Sequence, residues 1–457
     1  MRTLTSTGKP FKRTRTGCLT CREDGYRCDE QKPSCARCLR LGKFCKGYGL
    51  KLKWQSPMGP QRIDKKSEES HRRRTPSTAL TRLQSQRPAA SVSPRAMSSG
   101  IPPHQQYLLH HWSNTLASLI TLSPPAQNMF HTHVTPMITH SPPLLSSICS
   151  MAASHLSVLR NDRSLKNIAT WHQNDAIAPF IRNMGTETPL ASLAALATIL
   201  ILHITDRLFK TNTGVNHLEG AKIIINQAEP KTWDCDTGIF LLSVCSYHDA
   251  VVSVSRRTPP ILNLGSHVPF LEEMTPMRGL KILWTVVGRI SSMCSQDRSL
   301  LDGEGAVIES VLQTIATLAS REGDGGHTIH AYIEAAYIYL HRVWHNVGSP
   351  HPQTLRHARD CLEHLFKVPV SSPLVSAHPW PLLTAGCETI DENLRDLVRK
   401  RIQAMYDSRH MPSLLSLEED IEEVWRDKDK KRTATGIDKV DCIQAILAIR
   451  QRGPDLA

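Results

Sequence analysis

Most features that would mark this 457-residue chain as a familiar enzyme or a membrane protein are missing from it. It has no H-E-x-x-H pair, no glycine-rich loop to cradle phosphates, no dinucleotide fingerprint and no G-x-S-x-G elbow, which excludes the commonest catalytic frameworks. The first 17 residues are rich in Thr, Lys and Arg and lack the apolar stretch of a secretory leader. The longest uncharged apolar run, Pro189 to Thr205, is short for a bilayer span, and Asp206 and Arg207 follow it at once. There is no sustained heptad, no C-x-x-C pair beyond residue 45, and no strand-like alternation of any length in the part beyond residue 105. The expectation is a soluble, helical, non-enzymatic protein with no membrane partner, in a reducing compartment.

What is present is concentrated at one end. The chain carries 55 Lys plus Arg against 42 Asp plus Glu, a formal charge of +13. Residues 1 to 54 account for +10 and residues 55 to 100 for +6, while residues 101 to 457 carry −3. Clustered base on a short segment, joined to a near-neutral body, is the distribution of a polyanion-binding module on a larger fold.

Six of the 13 cysteines lie in that basic segment. Cys18, Cys21, Cys28, Cys35, Cys38 and Cys45 read C-x2-C-x6-C-x6-C-x2-C-x6-C, so the second three repeat the first three with a shift of 17 residues. Gly25 and Gly42 correspond under the same shift, each placed to end a short helical turn begun near Cys21 or Cys38. Thiolates are soft ligands that select zinc, and structural zinc is tetrahedral. Two zinc ions need eight ligand positions, which six thiolates fill if two of them bridge, and the repeat nominates the equivalent pair Cys18 and Cys35. About 30 residues bury too little to fold alone, so the metal would supply the folding energy. A disulfide knot suits the compartment poorly, and six thiolates leave no open position for catalysis.

The stretch "TGCLTCREDGYRCDEQKPSCARCLRLGKFCKGY" resembles the binuclear zinc cluster of fungal transcription factors, including Asp29 after the third cysteine and the Lys32-Pro33 loop between the halves. The following "CKGYGLKLKW" is similar to the subgroup that includes the arginine-metabolism regulator. The resemblance implies two bound zinc ions, double-stranded DNA as partner, short CGG-like triplets read in the major groove by the first helical turn, regulation of RNA polymerase II transcription, and a nuclear location. One feature departs from the pattern. In the family the positions of Asp24 and Gly25 are commonly basic, and a carboxylate at the groove would face phosphates and the acceptor-rich edge of guanine.

Three readings stay open. The module binds DNA with altered reading, with Gly25 letting the backbone approach, Arg22, Tyr26 and Arg27 at the bases, and Arg13, Arg15, Lys43 and Lys46 on phosphates. Alternatively, a partner protein brings its own reader, or the zinc fold survives as an interaction module. Under the first reading Gly25→Lys restores a groove cation, raises affinity and shifts preference toward the family's triplet. Unchanged preference in a binding assay would mean that this turn does not face DNA.

Four regions follow: a basic arm at 1–17, the zinc module and its tail at 18–54, a disordered linker at 55–104 rich in Pro, Ser, Gln and Arg, and an all-α regulatory body at 105–457 of about a dozen helices. Lys46, Lys51 and Lys53 alternate with Tyr48, Leu50, Leu52 and Trp54, the pattern of an extended tail. Lys9, Lys12, Arg13 and Arg15, or Lys65, Lys66 and Arg72 to Arg74, are candidate import signals. A homodimer, or a complex with another transcription protein, would have to form through the body.

In the body, Leu190 to Ile204 and Ile239 to Val254 read as buried helices. Leu394, Leu397, Val398, Ile402 and Met405 mark one face of a helix whose other face holds Arg395, Arg399, Lys400 and Arg401. "HLEGAKIII", "SYHDAVVSVSRRTPPIL" and "WPLLTAGCET" resemble parts of the regulatory domain that accompanies this zinc-cluster subgroup, which implies effector sensing without catalysis. His327, His330 and Glu334 share a helical face, as do His341 and His345, and both sets read as surface or capping groups. Glu418 to Glu423 interleave with Leu417, Ile421, Val424 and Trp425 as an amphipathic helix capped at Ser416, Lys428 to Arg432 as a solvated loop, and Cys387 as a packed core thiol.

Overall fold

The computed structural model describes residues 17–31, 35–41, 43, 45, 101–182, 192–211, 216–262, 275–435, 441 and 446. Arg13, Arg15, Lys46, both candidate import signals, the tail through Trp54 and the linker up to residue 100 lie outside the described residues. Among the described residues there is helix and no strand, as the absence of alternating sequence requires.

Two short helices, α1 (Leu19–Glu23) and α2 (Ala36–Arg40), belong to the cysteine segment. The body opens with α3 (Pro103–His111), continued through a π-turn into α4 (Ala117–Leu119). Then come α5 (Pro142–Arg160), α6 (Arg163–Arg182), α7 (Leu193–Phe209), α8 (His217–Gln227), α9 (Asp236–Arg256) and α10 (Pro276–Met293). The chain finishes with α11 (Arg298–Leu318), α12 (Gly323–Trp344), α13 (Pro352–Lys367), α14 (Pro379–Cys387), α15 (Glu392–Arg409) and α16 (Pro412–Thr435).

Local signals set the boundaries. Prolines open α5, α10, α13 and α14, where the missing N–H costs nothing, and left-handed Asn161, Lys210, Arg257 and His410 end α5, α7, α9 and α15. The Ser192 hydroxyl accepts from the Ala195 N–H at 3.1 Å and caps the start of α7, while Leu190, the start expected from the sequence, lies outside the described residues. Consecutive helices pack in pairs, α5 on α6, α9 on α10, α12 on α13 and α15 on α16, around one apolar core. Trp112, Trp380, Trp425 and Tyr332 are its largest buried side chains. Helix α9 is long and apolar enough to cross a membrane, and it is buried here against α7 and α10, with Asp249 turned inward.

That aspartate explains one of the family-like segments. Its two carboxylate oxygens accept the N–H groups of Ile261 and Leu262 at 2.7 and 2.8 Å, which folds "RRTPPIL" back against α9.

Several expectations fail, and for Arg395 and Lys428 the reason is that charge goes inside where it finds a carboxylate. Arg395 and Arg401 are buried in α15 while Leu397 is exposed. The Arg395 guanidinium donates to both oxygens of Asp429, at 2.7 and 2.9 Å, and lies over the Trp425 ring. Helix α16 begins at Pro412, so Ser416 is a buried residue within it and not its cap. The basic run at 428–432 continues the same helix, and Lys428 is fully buried. Its ammonium donates to Glu388 at 2.8 Å, to the Ser349 hydroxyl at 2.8 Å and to the Cys387 carbonyl at 2.6 Å. The other Glu388 oxygen takes Arg342 at 2.7 Å. Cys387 is buried, as expected of a core thiol. His330 is buried too, stacked on His364 and hydrogen-bonded to the Ala319 backbone at the end of α11, and His327 meets His364 at 3.1 Å, so this group packs helices together and is not a surface set.

Burial pushes the Glu388 carboxyl up, and Lys428 and Arg342 outweigh it, leaving it at about 2. A folded value below the unfolded one contributes stability above about pH 4.5, lost as pH falls toward 2, of about 3 kcal/mol in all. Urea denaturation of the full chain followed by circular dichroism should show this loss between pH 5 and 2. Lys428→Met, which leaves Glu388 with one cation, should cost about 3 kcal/mol at pH 7 and flatten that dependence.

Candidate metal centre and nucleic-acid interface

The repeat in the cysteine spacing is repeated in the backbone. The Cys18 and Cys35 sulfurs sit at the starts of α1 and α2 and accept the N–H groups of Cys21 and Cys38, at 3.4 and 3.3 Å. Each turn closes alike: Tyr26 N–H to the Cys21 carbonyl, and Lys43 N–H to the Cys38 carbonyl, both at 2.9 Å. In the first half the closing conformation is Gly25 at φ +76°, as expected, while Gly42 lies outside the described residues. The Cys28 sulfur accepts the N–H groups of Cys18 and Glu30. Asp29 joins the halves, its carboxylate accepting the Ala36 N–H at 2.8 Å and the Arg37 N–H at 3.4 Å, which holds the carboxyl below the usual range.

Five of the six cysteines are fully or nearly buried and Cys45 is partly so, and together they are the only core this segment has among the described residues. Two sets of four sulfurs lie within 4.8 Å of one another: Cys18, Cys21, Cys28 and Cys35, and Cys18, Cys35, Cys38 and Cys45. The two sets share Cys18 and Cys35, the pair that the repeat nominates. Tetrahedral zinc with sulfur at about 2.3 Å needs sulfurs about 3.8 Å apart. Cys18 and Cys35 are 3.6 Å apart, Cys21 and Cys35 3.7 Å, and Cys18 and Cys38 3.8 Å. No disulfide joins them. Burial raises the Cys35 thiol to about 12 and Cys18 further, so these sulfurs ionise only beside a cation, and an all-sulfur set suits zinc.

Of the acids in "CREDGYRCDE", Asp24 faces the protein. One Asp24 oxygen takes the Lys43 ammonium at 2.8 Å and the Arg37 guanidinium at 3.3 Å, so α1 is tied to the second half. The Lys43 hydrogen bond, aided by Arg37, holds the carboxyl below its ordinary value. Arg37 also lies over the Tyr26 ring, 4.2 Å from its centre, and donates toward the Cys21 sulfur at 3.7 Å. Arg22, Gly25, Tyr26 and Arg27 are exposed. Of the candidate DNA contacts, Lys43 is engaged with Asp24. Sequence reasoning passed over Arg37 and Arg40, which line a shallow cleft with Arg27, Asp29 and Glu30. Under the shift of 17 residues Arg37 and Arg40 correspond to Thr20 and Glu23, and Arg22 to Leu39, so the repeat gave no signal that points to them.

Residues 16–55 match the fungal Zn(2)-Cys(6) binuclear cluster domain, and residues 107–284 and 306–446 match the fungal specific transcription factor domain. The chain belongs to this family of zinc-cluster transcription regulators. Among its relatives, the transcriptional activator protein UGA3 of Saccharomyces cerevisiae is 27% identical over 224 residues, covering 42% of this chain and 40% of the relative. White-opaque regulator 2 of Candida albicans is 60% identical over 37 residues, 8% of each chain. Arginine metabolism regulation protein II of Saccharomyces cerevisiae is 46% identical over 46 residues, 10% of this chain and 5% of the relative. The chain thus spans two-fifths or less of the length of these relatives. No solved structure matches it.

If Asp24 works as an internal counter-ion, Asp24→Asn should free one net positive charge. Duplex DNA affinity at low salt should rise, the slope of log affinity against log salt should steepen by about one, and the gain should vanish at high salt. Fluorescence anisotropy of a labelled duplex across a salt series reads all three. Weaker binding at every salt concentration would show instead that the carboxylate touches DNA.

Proposed function

We propose that the chain is a nuclear, sequence-specific DNA-binding regulator of RNA polymerase II transcription. Its cluster at 18–45 holds two zinc ions, one on Cys18, Cys21, Cys28 and Cys35 and the other on Cys18, Cys35, Cys38 and Cys45, with Cys18 and Cys35 bridging. The observation that carries the DNA reading is the withdrawal of Asp24 onto Arg37 and Lys43. The turn around Gly25 then presents Arg22, Tyr26 and Arg27 to a groove with no free carboxylate from Asp24 beside them. Arg22 and Arg27 act at base edges of a CGG-like triplet, and Arg40, with Arg13, Arg15 and Lys46, at phosphates. Lys43 serves mainly to neutralise Asp24.

Gly25 contributes its conformation. At φ +76° a lysine is strained by about 1 kcal/mol, so Gly25→Lys gains a cation and loosens the turn that carries it. The regions at 1–17, 18–54, 55–104 and 105–457 serve as arm, reader, linker and regulatory body.

A second reading has its own observation. Leu39 and Leu41 are 68% and 50% exposed on the second half, an apolar surface suited to another protein. On that reading a partner supplies the DNA contacts.

Native mass spectrometry of the zinc-loaded chain should find two zinc ions, and a one-zinc species after Cys45→Ser. Arg22→Ala and Arg27→Ala should each weaken binding to a CGG-bearing duplex by about 1 to 3 kcal/mol and reduce discrimination against a scrambled duplex. Two zinc ions with no effect of either arginine would leave the partner-dependent reading.

A further inference from the structure

The helical body contains a cavity of about 640 Å³, within the range that takes small organic molecules. It lies where α7, α9, α10, the start of α12, the turn at Pro373–Ala377 and the junction of α15 with α16 converge. Its walls are mainly apolar, with Phe130, Phe240 and Trp284 supplying flat rings and Leu208 and Met405 aliphatic surface. Two cations line it, Lys281 from α10 and Arg409 from the end of α15.

Neither cation has a carboxylate partner among the described residues. Lys281 is half-buried, and burial alone pulls its ammonium below the usual lysine value. Arg409 is buried, and its Nη1 and Nη2 go to neutral oxygens: the Leu119 carbonyl at 2.6 Å, the Ser376 hydroxyl at 3.0 Å and the Ser372 carbonyl at 2.9 Å. Its Nε has no acceptor among the described residues. Elsewhere in the body Lys428 and Arg342 are matched by Glu388 and Arg395 by Asp429, while Arg401, beside His378, has no carboxylate partner among the described residues. A half-buried ammonium and a buried guanidinium without an anion, facing one apolar space, are costly features that an anionic occupant would satisfy.

The remaining charges bound the class of that occupant. Asp324, on the first turn of α12, lines the same cavity, and His248 is kept neutral at ordinary pH by burial, at about 3. Lys281 and Arg409 against Asp324 leave one positive charge, which suits a monoanion better than a dianion or a cation. We propose that this cavity binds an amphipathic organic monocarboxylate, its apolar body between Phe130, Phe240 and Trp284 and its carboxylate on the Lys281 ammonium.

The test does not rest on DNA reading, because it measures the zinc-loaded full chain without DNA. Calorimetric titration and thermal shift are run with three probes of one chain length: sodium decanoate, decan-1-ol and decylammonium chloride. Decanoate should bind one per chain, at least about tenfold tighter than decanol, with decylammonium weakest. Lys281→Met should bring decanoate down to the affinity of decanol with an unchanged far-ultraviolet spectrum, while Lys281→Arg keeps the preference. Equal affinity for decanoate and decanol, a preference that survives Lys281→Met, or no saturable binding of any probe would each overturn the proposal. Should Lys281→Met fail to fold, the order of the three probes on the unaltered chain still decides.

Discussion

The zinc module depends on the convergence of six sulfurs. A segment of this length has too little apolar side chain to bury, and its buried cluster is made of cysteine. Everything that the module presents outward is fixed from there. The sulfurs of Cys18 and Cys35 start the two helices, the turns close through the carbonyls of Cys21 and Cys38, and the exposed side chains of the first turn take their directions from that frame. On the proposed function, metal, fold and reading surface are therefore one equilibrium: what weakens sulfur ligation also disperses Arg22, Tyr26 and Arg27.

Within this frame the acid is an asset. A carboxylate pointing at DNA would oppose binding, but the same carboxylate held by Lys43 and Arg37 clamps the first half of the module to the second. Arg37 does three things at once: it pairs with Asp24, covers the Tyr26 ring and approaches the Cys21 sulfur. Tyr26 is thereby oriented while it stays 65% exposed. The body uses the same economy in reverse, taking Lys428, Arg342 and Arg395 inside, where each meets a carboxylate, and leaving Lys281 and Arg409 to face an open cavity.

Spacing made the cysteine cluster legible, since an exact repeat constrains ligands, turns and bridging pair together. The helical class of the body was legible for a similar reason, because its long apolar segments admit no strand period. Asp24 was not, as its partners lie 13 and 19 residues along the chain and meet it only when the two halves close. Lys428 sits in a run that looks solvated, and its partner Glu388 is 40 residues away. In α15, counting apolar residues put Leu397 inside and Arg395 outside, whereas a bidentate carboxylate and a tryptophan face favour the arginine. Periodicity sees hydrophobicity and misses pairing. The segment "SYHDAVVSVSRRTPPIL" was legible as a pattern, but the role of Asp249 in holding its return loop needed the fold.

The central claim is that the acid-bearing turn reads DNA because its acid is turned inward. Selection from a random duplex pool by the zinc-loaded chain, at two salt concentrations, tests it most directly. The account predicts recovery of a defined triplet, bound more weakly at the higher salt, with the base preferences lost when Arg22 and Arg27 are replaced. A zinc-folded protein that enriches no sequence at either salt concentration would contradict it.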